Sequence, residues 1–171
     1  MPVILGVIAF FAVVAFIIAA KGAATIRPYQ KGIVERVGKY QRTVDGGLTI
    51  IIPFLEKITK VDMREQVVNV PPQIVTTRDN AAVEVSAVIY YEVTDPMKVI
   101  YNISNFDLAV TELAQITLHN LIGGLAPDES LTSREKINRA LREVLDEAAD
   151  KWGARVIRVE LQRIEPTSRM N

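Results

Sequence analysis

The first 20 residues contain no charged side chain, and all of them except Pro2 and Gly6 are apolar; the run ends at Lys21. At a rise of 1.5 Å per residue, about 20 helical residues reach about 30 Å, the thickness of a bilayer's hydrocarbon core. The pattern predicts an N-terminal transmembrane anchor over residues 1–24, with Val3, Ile4, Leu5, Val7, Ile8, Phe10, Phe11, Val13, Val14, Phe16, Ile17 and Ile18 against lipid. A cleaved signal peptide would carry basic residues ahead of the apolar run, and none stands there. A buried core helix of this length would show a polar face. Lys21, Arg27, Lys31 and Arg36 all follow the run, so the positive-inside rule predicts a single-pass cell-membrane protein, N-terminus out, with its globular part on the cytoplasmic side.

Between residues 29 and 93 the pattern shortens to that of strands. GIVERV (32–37) ends at Gly38, and LTIII (48–52) follows Gly46-Gly47 and stops at Pro53. KITKVDM alternates, and VVNV runs into Pro71-Pro72, which excludes continuation as a central strand. QIVTT, the polar turn Arg78-Asp79-Asn80 and AAVEVSAVIYYEV together read as a hairpin whose Val83, Val85, Ala87, Ile89, Tyr91 and Val93 share one face.

After Asp95-Pro96 the period lengthens. Phe106, Val110, Leu113, Thr117 and Leu121 recur at spacings of three and four, predicting an amphipathic helix stopped by Gly123-Gly124. Thr132 with Glu135 has the spacing of a capping box, opening a second helix with Ile137, Leu141, Val144, Leu145, Ala148 and Trp152 on one face and a stop at Gly153. Glu135 with Arg139, and Glu147 with Lys151, are i,i+4 pairs on its outer side. RVIRVELQRI then alternates as a last strand. The fold class is α+β: short strands packed with two or three helices behind an N-terminal transmembrane helix.

Composition narrows the chemistry. Twenty basic residues balance twenty acidic ones, so the basic excess of a nucleic-acid-binding surface is missing. The absence of Cys excludes disulfides, thiolate catalysis and Cys-ligated metals, and a single His119 argues against an imidazole cluster. His119 with Ser104 and Asp107 has the residue types of a hydrolase triad, but no nucleophile elbow or Gly-rich loop accompanies them, and a lone surface or packed histidine is the simpler reading. Glu143, Asp146, Glu147 and Asp150 are explained by a solvated helix face with ion pairs to Arg139, Arg142 and Lys151 rather than by a divalent ion. No catalytic, metal or cofactor site is expected.

LTIIIPFL (48–55) allows two readings. One is a buried strand, the ordinary place for such a run. The other is an interfacial dip into the bilayer through Ile52, Pro53, Phe54 and Leu55, with Phe54 at a loop tip because Pro53 interrupts the strand.

IRPYQKGIVERVGKY, VDMREQVVNVPPQIVTTRDNAAVEVSAVIYYEVTDP and LTSREKINRALREVLDEAADKWGARVIRVELQRIEP resemble, together, the stomatin/prohibitin/flotillin/HflK-C superfamily, called SPFH or band 7, and within it the prokaryotic stomatin-like proteins. VDMR (61–64), VPPQ (70–73), SREKI (133–137) and WGARVIRVE (152–160) carry the resemblance, which runs from 26 to 166. It implies a membrane-proximal subdomain over 27–78 and a second over 79–166. It also implies a homo-oligomeric, non-enzymatic scaffold of membrane microdomains, or a regulatory adaptor of a membrane protease of the NfeD or FtsH type. The expected partners are the lipid bilayer, further copies of the chain and such a protease, without nucleic acid. Two departures stand out: a turn usually written Pro-Gly-Leu is Gly46-Gly47-Leu48, and the helical coiled coil that the family carries after the Glu165-Pro166 position is represented only by residues 167–171, its truncated start. Arg134, Arg142, Asp146, Asp150 and Trp152 are the expected oligomer contacts.

Overall fold

The computed structural model describes residues 6, 7, 9–11, 13, 14, 22–78, 80–124 and 133–166. The chain divides into two compact units, Met1–Met63 and Arg64–Asn171.

Among its described residues the first unit holds the strands β1 (Ala23–Ile26), β2 (Gln30–Arg36), β3 (Lys39–Val44), β4 (Gly47–Ile50) and β5 (Glu56–Asp62). β1 and β4 pair antiparallel, Ala23 opposite Ile50, while β2 lies between β3 and β5 in a three-stranded sheet. Ile26, Ile33, Val34 and Val61 supply its buried apolar side chains. β1 was not anticipated: two of its residues, Ala23 and Ala24, fall inside the span 1–24 assigned to the anchor, and strand pairing claims them.

Glu56 is the buried acid of this unit. Its Oε1 accepts from Arg36 Nε at 3.0 Å and from Arg36 Nη2 at 2.6 Å, its Oε2 accepts the Ile52 amide at 3.0 Å, and Arg42 Nη1 stands 3.5 Å away. A carboxylate withdrawn from water is tolerated because it is met by donors of this strength. The Ile52 amide and then the Arg36 guanidinium hold its carboxyl below the ordinary value of 4.5, against the opposing effect of burial.

In the second unit β6 (Gln66–Thr76), β7 (Ala82–Val93) and β8 (Ala154–Pro166) form an antiparallel sheet in the order β6-β7-β8, with helices α1 (Pro96–Tyr101), α2 (Phe106–Gly123) and α3 (Arg134–Lys151) between β7 and β8 in sequence. The β6–β7 pairing carries residues 66–76 into this unit, so the break between units falls at Met63, earlier than the expected 78. The strand also continues through Pro71-Pro72, by a register shift between Val70 and Gln73. β6 is an edge strand, where prolines remove no hydrogen bond that a neighbour needs. Val83, Val85, Ala87, Ile89, Tyr91 and Val93 are buried, as their alternation predicts.

α2 packs on β6, α3 packs on β8, and the helices pack on each other. The buried line of α2 runs through Phe106, Val110, Ala114, Leu118 and Ile122, leaving Leu113 and Leu121 half-buried. α3 buries Ile137, Leu141, Leu145 and Ala149, and Val144 turns out to be exposed. Ser133 occupies the N-cap without a side-chain bond; the expected cap, Thr132, lies outside the described residues. The short α1 went unread, although Asp95-Pro96 carries its signature: the Asp95 carboxylate accepts the amides of Met97 and Lys98, and Pro96 opens the first turn. Gly153 closes α3 at φ +82, and a Cβ there would stand 2.5 Å from the Asp95 carbonyl oxygen, which accounts for glycine in the WGA stretch.

Folding lowers the Glu56 pKa, so the unfolded chain binds that proton more readily. The ionised carboxylate therefore stabilises the first unit above its ordinary value, and this contribution is lost as pH falls through the lower folded value. Hydrogen exchange should show the Ile52 amide protected near neutral pH and progressively released in acid, with Glu56→Gln flattening that dependence. An Ile52 amide whose protection is indifferent to acid would contradict the assignment.

Candidate functional site

The end of the three-stranded sheet that carries Glu56 also carries two tight turns. Val37 and Gly38 join β2 to β3, both at positive φ (49° and 74°), and Phe54 sits at φ 70° in the loop from β4 to β5. The Val37 amide donates to the Leu55 carbonyl at 3.0 Å, fastening one turn to the other. The resulting tip is apolar and open: Val37 is 76% exposed and Phe54 96%, with Leu55 and Ile52 also exposed and Pro53 half-buried. A non-glycine residue in the left-handed region costs about 1–3 kcal/mol and persists where its surroundings over-determine it. Here the bonds from Val37 to Leu55 and from Ile52 to Glu56 do so.

The buried-strand reading of residues 48–55 is overturned. Leu48 and Ile50 are 73% and 75% exposed, because among the described residues β4 pairs with β1 alone and their side chains enter no core. Phe54 does stand at a loop tip after Pro53. The loop is also fastened at Gly22: the Ile51 amide donates to the Gly22 carbonyl at 2.7 Å, continuing the β1–β4 pairing, three residues before Phe54. Of the predicted anchor, Val3, Ile4, Leu5, Ile8, Phe16, Ile17 and Ile18 lie outside the described residues. Val7, Phe10, Phe11, Val13 and Val14 are helical, the first four exposed. Among the described residues no helix is long and apolar enough to cross a membrane.

In the second unit the residues expected at an oligomer contact divide. Asp146 Oδ1 accepts the Val156 amide at 2.9 Å and Arg142 Nε donates to the Val156 carbonyl at 3.3 Å; Asn138 Oδ1 accepts the Leu161 amide at 3.1 Å. These three side chains of α3 occupy backbone groups of the edge strand β8. Arg134 and Asp150 are exposed, and Trp152 is half-buried, its ring edge-to-face with Phe106 at 6.0 Å. Phe106 in turn lies 4.5 Å from Tyr91, whose hydroxyl donates to Asp107 at 2.7 Å. Burial, reinforced by the Asp107 carboxylate, pushes the Tyr91 phenol well above its ordinary value.

The structure does not assemble the triad that residue types alone allow. His119 is exposed, about 18 Å along α2 from Asp107, which serves Tyr91. Glu147 of the acidic run pairs with Lys151 at 3.3 Å. Among the described residues no cluster of His, Asp or Glu could hold a metal ion.

Residues 24–171 match the model of the SPFH domain / Band 7 family. The chain is 62% identical over 153 residues to an uncharacterized protein of Methanothermobacter thermautotrophicus, covering 90% of this chain and 48% of that one. It is 42% identical over 163 residues to an uncharacterized protein of Methanocaldococcus jannaschii, 95% of this chain and 79% of that one. It is similar also to a stomatin homolog of Pyrococcus horikoshii, 38% identical over 149 residues, 87% of this chain and 56% of that one. The chain spans about half the length of most of these curated relatives. With a family model that covers both compact units and archaeal stomatin homologs among its relatives, the chain belongs to the SPFH domain / Band 7 family.

Proposed function

We propose that the chain is a membrane-anchored scaffold that assembles with its own copies and organises lipid and protein composition around it. Residues 3–20 span the cell membrane once, N-terminus out, and the strands and helices from Ala23 onward stand on the cytoplasmic side. The observation that carries this reading is the run of 20 residues without a charged side chain that precedes Lys21, and the Ile51–Gly22 hydrogen bond fastens the apolar loop to the residue just after it. From Ile51 to Phe54 the chain extends at most about 10 Å, so a bilayer that receives the apolar run lies within reach of Ile52, Phe54 and Leu55. Three exposed apolar side chains beside the membrane are then a second point of hold, adding buried apolar area to that of the anchor.

The role is binding. Neighbours held on one bilayer meet at high effective concentration, so weak lateral contacts suffice for assembly. Arg134 and Asp150, exposed on α3, and the half-buried Trp152 are the proposed contributors; Arg142 and Asp146 are committed to β8 and contribute less. Membership of a family with stomatin homologs supports the scaffold reading.

The chain has no cysteine, so single substitutions report cleanly. Ser133→Cys should resist an impermeant maleimide in intact cells and react after permeabilisation; labelling of intact cells would reverse the orientation. Amine cross-linking of the full chain in vesicles should give a ladder of self-association that collapses to monomer on dilution in detergent. A persistent monomer in vesicles, or a protease recovered from native membranes in equal amount with the chain, would favour the adaptor instead.

A further inference from the structure

The neutral chain is electrically divided. Residues 1–63 carry eight Lys or Arg against four Asp or Glu, net +4, and residues 64–171 carry twelve against sixteen, net −4. Within the first unit the acids are largely spoken for: Glu56 is neutralised by Arg36 and Arg42, and Asp45 pairs with Lys31 at 3.3 Å. Strand register sets Lys39 opposite Arg36 on one side of the tip, and Lys57 opposite Glu35 on the other. Lys57 lines one shallow cleft with Val37, Gly38, Phe54, Leu55 and the carboxylates of Glu35 and Glu56, the latter already met by Arg36 and Arg42. Lys39 and Lys57 are both exposed, and among the described residues neither ammonium has a hydrogen-bond or ion-pair partner.

An apolar point flanked by unpaired ammonium groups is complementary to a surface that is apolar inside and anionic at its rim. We infer that the tip is a binding site for anionic phospholipid headgroups, Val37 and Phe54 entering the acyl boundary while Lys39 and Lys57 remain among the phosphates. This rests on the membrane-contact reading above and adds to it the chemistry of the lipid. Lysine suits the position because its stem covers apolar surface while the ammonium stays at the headgroup level. Near an anionic bilayer each such lysine is worth about 1 kcal/mol, or about fivefold in the ratio of inserted to free tip. The acidic second unit of another copy offers the same sign of charge. The Gly22–Ile51 bond favours the bilayer, because it fastens the loop that leads to the tip to Gly22, which follows the apolar run in sequence.

The test uses the full chain carrying Val37→Cys, labelled with an environment-sensitive nitrobenzoxadiazole and reconstituted in vesicles of phosphatidylcholine alone or mixed with phosphatidylglycerol. A larger fraction of blue-shifted label is expected in the anionic vesicles. Lys39→Gln with Lys57→Gln should remove that gain by about fivefold per lysine, and about 1 M salt should reduce it without any substitution. Equal insertion in both vesicles overturns the headgroup preference while leaving the membrane contact standing. Label that stays in water in both overturns the two together. A shift that follows protein density rather than lipid charge names a second copy as the occupant and overturns the inference.

Discussion

A carboxylate cannot be withdrawn from water without donors, and in the first unit that requirement organises the end of the sheet. Glu56 draws Arg36 from β2, Arg42 from β3 and the Ile52 amide from the loop before it onto one pair of oxygens. Once Ile52 is held, residues 53–55 have to close the distance to β5 in a tight turn, which sets Phe54 at positive φ with its ring in the open. The Val37 amide, bound to the Leu55 carbonyl, brings the neighbouring turn into the same arrangement. Two apolar side chains are thus kept out of the core by polar bonds behind them, at a conformational cost that a purely structural loop could avoid with glycine.

The second unit resolves a different constraint, the two open edges of a three-stranded sheet. At β8, Asn138, Arg142 and Asp146 of α3 take backbone groups that another strand would otherwise use. At β6 the Pro71-Pro72 pair and its register shift interrupt the ladder. Both are recognised ways of blunting an edge against uncontrolled pairing. The self-assembly proposed above would benefit from excluding strand addition, since side-chain contacts would then determine how copies meet.

Much of this was legible in the sequence because burial on one face leaves a period. The β7 alternation and the Ile137, Leu141 and Leu145 stripe required only that rule, and both are buried as it predicts. Residues 48–55 failed it instructively: hydrophobicity without periodicity cannot distinguish a buried strand from an exposed ribbon, and the exposure of Leu48 and Ile50 on a strand paired with β1 decided the matter. The roles of Glu56, Arg142 and Asp146 were not legible, since a charged residue in a charged run looks like a solvated one until a distant backbone amide is placed against it. α1, by contrast, was readable from Asp95-Pro96 and was missed because six residues are too few to show a helical period.

The central claim is that the Val37 and Phe54 tip meets lipid at the place where the apolar N-terminal run meets the bilayer. The most direct measurement replaces Phe54 in the full chain with photoreactive benzoylphenylalanine and irradiates it in membranes metabolically labelled in their acyl chains. The account predicts a labelled lipid adduct at position 54, with no comparable adduct from the same group at exposed Glu147 in the second unit. Adducts at position 54 to protein alone, or equal lipid labelling at the two positions, would contradict it.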